Sequence, residues 1–273
     1  MSNWQNDFVE TNGIRVHYTR TGGDKPALVL LHGITDNGLC WGRVARALEA
    51  DYDILMVDAR GHGLSDKPEN GYHSDDYAAD FAGLIEALGL GPALVMGHSL
   101  GANNAATLAA NYPKLVRAAV LEDPPWFDLS GQQRRSAEEE AKGMDEWRAG
   151  LIAQQQQALE EIIAAGKKRS PKWSEDEFPA WAQAKKQVYP FVLGKSSLRT
   201  WDDIVPQIAC PTLLVTGDSA LGALVAPGLA AKVCAVDPKI EHAHIPDAGH
   251  NIRRDNFDAF LAAIRTFLAD LSE

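Results

Sequence analysis

No stretch of this 273-residue sequence is both long and apolar enough to span a bilayer. Met1 to Asp7 carry no basic segment leading into an apolar one, so neither an anchor nor a secretory signal is expected. Basic clusters are missing too. The net charge is −11, which argues against nucleic acid or an anionic lipid surface as a partner. Cysteine is scarce: Cys40, Cys210 and Cys234 are odd in number, far apart and without metal-ligand spacing. Reduced, mostly buried thiols in a cytoplasmic protein are the expectation, and no metal site. No internal repeat is present. What is there, 45% hydrophobic and 23% charged residues, suits a globular protein with a full core.

In chain order, Phe8-Val9-Glu10 and Ile14 to Tyr18 flank Thr11-Asn12-Gly13, a strong hairpin signal. Ala27 to Leu31 is continuously apolar, as in a strand covered on both faces, and leads into His32-Gly33-Ile34. An amphipathic stretch (Trp41 to Glu49), a second apolar run (Tyr52 to Asp58) and helical periodicity (Asp75 to Leu88) follow. Further strands are expected at Ala93 to Met96, Val116 to Leu121, Pro211 to Asp218 and Ile240 to Pro246, with helices up to Asn111, over Pro227 to Val236, and from about Asp255. Strands alternating with helices imply a mostly parallel sheet covered on both sides. Between Trp126 and Pro206 the alternation stops. This stretch is rich in Gln, Glu, Ala, Lys and Arg, and Gln154 to Gln157 sit within a helical pattern set by Leu151, Ile152, Leu159, Ile162 and Ile163. It also holds five of the seven tryptophans, which either pack the insert onto the core or line an apolar pocket.

The chain is organised around Gly97-His98-Ser99-Leu100-Gly101. An apolar strand precedes it and an Ala-rich helix follows. The pattern is that of a nucleophile elbow, with Ser99 on a strained turn that lifts its Oγ clear of the sheet. A side chain at Gly97 or Gly101 would collide with the neighbouring strand or helix. The bland alternative is an ordinary strand-to-helix turn with a serine cap.

Four motifs in order, His32-Gly33, Asp58 to Ser65, Gly97 to Gly101 and Gly249-His250, resemble the α/β-hydrolase superfamily over essentially the whole chain. The resemblance implies an eight-stranded, mostly parallel sheet with helices on both faces and a helical cap after the sixth strand. The cap would be residues 125–206, and residues 1–124 and 207–273 the core. It implies Ser99 as nucleophile, His250 as the base, and the backbone N–H groups of Leu100 and Ile34 as the oxyanion hole. His244 is the least negligible rival to His250. A Gly-x-x-Asp turn after the seventh strand carries the acid in many relatives, yet Gly217-Asp218-Ser219-Ala220 has alanine there. Asp123, at the tip of the sixth strand, is favoured as the acid, with Asp218 as the alternative. Asp58 and Arg60 are expected to brace their loop. Asn103 and Asn104 serve helix packing or the elbow, and Lys167-Lys168-Arg169 form a solvated turn or attract a substrate carboxylate.

Relatives that open epoxides or remove halide place aspartate at the elbow, so serine implies acyl transfer. The expectation is a cofactor-free serine hydrolase acting on a small carboxylic ester or lactone, apolar or aromatic, through an acyl-enzyme. An amidase or C–C bond hydrolase with the same residues is the alternative, followed by a non-catalytic ligand-binding relative.

Overall fold

Asn12-Gly13 turns the chain between β1 (Gln5–Thr11) and β2 (Ile14–Arg20), which pair antiparallel from Thr11 opposite Ile14. The computed structural model describes residues 4–128 and 136–271. Its strands continue as β3 (Ala27–Leu31), β4 (Asp53–Val57), β5 (Ala93–His98), β6 (Val116–Glu122), β7 (Thr212–Thr216) and β8 (Ile240–His244). They form one sheet in the order β1-β2-β4-β3-β5-β6-β7-β8. The β2–β4 pair is antiparallel, and every pair from β4 through β3 to β8 is parallel.

Alternation within the buried strands feeds two cores. Val29 and Leu31 of β3 point to the face packed by α2 (Ser74–Ala87) and α3 (Leu100–Asn111), through Tyr77, Phe81, Ala105 and Leu108. Leu28 and Leu30 point the other way, to α1 (Gly42–Leu48) and the C-terminal helix, through Val44, Leu48, Phe260 and Ile264. A parallel sheet buried on both faces needs this continuous apolar composition.

Between β6 and β7 the described chain is helical: α4 (Ala137–Gln155), α5 (Leu159–Arg169), α6 (Phe178–Gln187), and the single turns α7 (Val192–Lys195) and α8 (Trp201–Ile204). Residues 129–135 of the expected cap lie outside the described residues. The glutamine run, expected to lie within a helix, is helical only in its first half: α4 stops at Gln155. There the Gln155 amide donates to the carbonyls of Lys185 and Val188, and Lys186 Nζ donates to Gln157 O, so the turn is fastened to α6. A separate aromatic cluster of Trp173, Phe178 and Trp181, with Ile162, packs on Cys40 and joins these helices to the loop after β3. After β7 come α9 (Pro227–Cys234), β8, the one-turn α10 (Ile252–Asp255) and α11 (Phe257–Asp270). None of the described helices is long and apolar enough to cross a membrane.

Candidate active site

Ser99 sits between β5 and α3 with φ 53° and ψ −119°, a conformation that costs an L-residue on the order of 1–3 kcal/mol. Close packing maintains it. A Cβ at Gly97 would lie 2.0 Å from Gly101 O, and one at Gly101 would lie 2.1 Å from Leu31 O. Helix and strands therefore meet at a spacing only hydrogen allows. Ser99 N–H donates to Glu122 O at 2.9 Å, tying the turn to the end of β6.

One residue further, Asp123 also has positive φ (43°) and is fully buried. Its carboxylate accepts from Leu224 N–H (2.8 Å) and Val225 N–H (3.0 Å) and lies 2.7 Å from His250 Nδ1. A carboxylate in that position accepts a hydrogen bond from Nδ1–H, keeps the proton on that nitrogen and so leaves Nε2 as the basic one. The ring of His98 lies 4.7 Å from that of His250, and its Nε2–H donates to His250 O at 2.9 Å. Burial, reinforced by the positive charge of Arg253, holds His98 well below the usual histidine range and keeps it neutral.

Asp218 is elsewhere. Its carboxylate accepts from Asp247 N–H at 2.7 Å and pairs with His244 Nε2 at 3.1 Å, so the alternative acid does not meet His250. The longer loop through Gly222 turns its backbone amides, not Asp218, toward the site.

Ser99, His250, Ile34 and Leu100 line one cavity of about 1020 Å³. Ser99 Oγ and the His250 ring are not hydrogen-bonded to each other, a common state before substrate tightens such a site. The backbone N–H groups of Ile34 and Leu100 have no protein acceptor among the described residues. That suits them to an oxyanion.

The loop carrying Ile34 is fastened by buried histidines. His32 donates to Gly33 O at 2.8 Å through Nδ1 and accepts from Ala59 N–H through Nε2, and His62 Nε2 lies 2.7 Å from Ile34 O. Asp58 accepts from Gly38 and Leu64 N–H, while Arg60 grips Asp80 with two nitrogens at 2.6 Å and also donates to Gly71 O. Both brace the loop as expected. Asn103 is a packing link, bonded to Ser74 and Arg199 O. His17 is buried, 2.8 Å from Asp58.

Trp147, Trp173 and Trp181 line the cavity, whereas Trp126 and Trp201 pack into the core. The tryptophans of the insert thus divide between both expected roles. The charged lining residues among those described are Asp36, Arg169, Lys185 and Arg254. Asp36 engages Lys185 (3.3 Å) and Arg254 (3.0 Å). Arg169 has no carboxylate partner among the described residues and lies over the Trp181 ring at 5.2 Å. No group of three His, Cys, Asp or Glu side chains among the described residues is arranged to hold a metal.

The chain belongs to the α/β-hydrolase fold family, whose model matches residues 26–254. Among its relatives, 2-(acetamidomethylene)succinate hydrolase of Mesorhizobium japonicum is 33% identical over 262 residues, covering 91% of this chain and 90% of that protein. N-formylmaleamate deformylase of Pseudomonas putida is 32% identical over 270 residues, covering 95% of each. The crystal structure of E-2-(acetamidomethylene)succinate hydrolase superposes with a TM-score of 0.78 at 28% identity, covering 98% of this chain and 100% of that one.

Proposed function

We propose that this hydrolase cleaves an amide-type C–N acyl bond in a small, carboxylate-bearing substrate, with Ser99 as nucleophile, His250 as base and Asp123 as acid. The observation that carries the proposal is the cavity itself. In a chain of net charge −11, the cations lining the space at Ser99 are Lys185 and Arg254, both paired with carboxylates, and Arg169, which has no carboxylate partner among the described residues. Such a lining favours an anion. The names of both relatives denote carboxylates bearing an acylated nitrogen, which supports an amide-type bond ahead of the ester or lactone that Ser99 alone suggested.

The geometry supports the following steps. Ser99 Oγ attacks the acyl carbon as its proton passes to His250 Nε2, and Asp123, 2.7 Å from Nδ1, stabilises the imidazolium. The N–H groups of Ile34 and Leu100 receive the developing oxyanion. Collapse breaks the C–N bond, and the departing nitrogen takes the proton from His250. Water, activated by the same imidazole, then releases the acid from Ser99. We read residues 125–206 as a cap over this chemistry and residues 1–124 and 207–273 as the core.

The test is a panel of N-acyl and N-formyl amides and matched esters, each as free carboxylate and as neutral methyl ester, with products identified by mass spectrometry. Turnover should be highest for carboxylate-bearing amides and absent in Ser99→Ala. Equal turnover of neutral and carboxylate forms, or ester cleavage alone, would overturn the substrate proposal. Full activity in Ser99→Ala would overturn the mechanism.

A further inference from the structure

Beside the site, three carboxylates and three cations are packed almost out of contact with water. Asp36, Glu122, Glu177, Lys185, Arg253 and Arg254 are each 5% exposed or less. Each lies close in sequence to a piece of the machinery or on the helices above it. Asp36 follows Ile34 by two residues, Glu122 precedes Asp123, and Arg253 and Arg254 follow His250 in α10. Glu177 and Lys185 come from the segment containing α6. The pairs are Glu122 with Arg253 (3.0 Å), Glu177 with Arg254 (3.1 Å), and Asp36 with Lys185 (3.3 Å), Arg253 (3.4 Å) and Arg254 (3.0 Å). Although burial pulls the Asp36 carboxyl upward, Arg254, Lys185 and Arg253 hold it well below the usual range. Burying six charges costs several kcal/mol per ion before pairing repays it, so a cluster this large needs a reason beyond stability.

Lys185 supplies one. Besides Asp36, its Nζ donates to Thr35 O and Thr35 Oγ1, both at 2.7 Å. Two residues further along each segment, the Asn37 amide donates to Gln187 Oε1 at 2.8 Å. Thus α6 grips the loop immediately beyond Ile34, while His62 lies against Ile34 O from the core side. We infer that Lys185 is a positioning residue for the oxyanion loop: its ammonium fixes the Thr35–Asp36 peptide and so the direction of the Ile34 N–H. The helical segment between β6 and β7 then completes the catalytic apparatus as well as covering it. This inference rests on the serine-hydrolase reading above.

Lys185→Met separates the two. Asp36 keeps both arginines in this variant, so the fold should survive, as circular dichroism will show. A fluorophosphonate probe reports Ser99 and its oxyanion hole without depending on the substrate proposed above. Losing an oxyanion donor outright costs about 10²–10³ in rate. A loosened loop should therefore slow both probe labelling and kcat by about 10- to 100-fold, with KM for a carboxylate-bearing amide changed less than about three-fold. Should Lys185→Met fail to fold, Lys185→Gln, neutral and shorter, is judged by the same criteria. Labelling and kcat within about two-fold of wild type in a folded variant would overturn the inference. So would a ten-fold rise in KM at unchanged kcat, which would make Lys185 a substrate contact. A wild type that the probe does not label would overturn the serine-hydrolase reading, and this inference with it.

Discussion

His244 Nε2 lies 3.1 Å from Asp218 Oδ1 at the edge of the sheet, each side chain more than a third exposed. This pair is separate from the buried contact between Asp123 and His250. Asp123→Asn preserves shape but presents an amide to Nδ1, favouring the wrong imidazole tautomer. Turnover should fall by roughly 10³- to 10⁴-fold in folded protein. Asp218→Asn alters an exposed pair and should leave kcat within about two-fold. Steady-state kinetics on the same substrate compares them directly.

Gly97→Ala and Gly101→Ala each drive a methyl group to within about 2 Å of backbone oxygen. Backbone at the junction of β3, β5 and α3 cannot swing aside as a side chain would. Each substitution should destabilise the protein by about 3 kcal/mol, near the upper end of overpacking costs. The expected result is a lower urea midpoint with an unchanged slope.

Among the described residues, Arg169 is the cavity cation without a carboxylate partner. Arg169→Ala should raise KM for a carboxylate-bearing substrate by about ten-fold and leave kcat within two-fold, because uniform binding is lost and not transition-state contact. The neutral methyl ester of that substrate should show no such change. Added salt should shrink the wild-type preference, since the site is partly open to solvent.

Burial pushes the Cys40 thiol up to about 12 from an ordinary 9.0. Above pH 9 the unfolded chain loses this proton while the folded chain keeps it. The unfolded state then binds fewer protons, so stability falls as pH rises between 9 and 12, by up to about 1.4 kcal/mol per pH unit from this one group. Tyr72 and Tyr77, also raised by burial, add to the slope at higher pH. Cys40→Ser should flatten the alkaline limb by one proton in urea titrations at pH 9 to 11. An unchanged slope would mean that Cys40 is accessible in the native state.

Much of the fold is legible along the chain because the signals are local. Continuous apolar runs mark β3 to β7, Asn12-Gly13 marks the hairpin, and the Gly-x-Ser-x-Gly spacing around Ser99 marks the elbow within five residues, although Gly101 is also required by Leu31 O of β3. The glutamine run misleads for the opposite reason. Its side chains and carbonyls are claimed by α6, about thirty residues away, and α4 therefore ends at Gln155. The tryptophans, likewise, divide between core and cavity according to what faces them.

The sequence by itself determined the family, the position of Ser99 and the order of the motifs, since each depends on residues adjacent in the chain and on backbone sterics. It left Asp123 and Asp218 both open as partner of His250, and it was silent on Asp36, Lys185, Arg253 and Arg254 as a group. Those matters were decided by the tertiary structure. Leu224 and Val225 N–H reach Asp123 from about a hundred residues away, Asp218 is turned to His244, and six charges from separate segments neutralise one another only when the chain is folded. Hydrogen bonds and charge pairing act over a few ångströms in space whatever the separation in sequence, and only the assembled fold sets those distances.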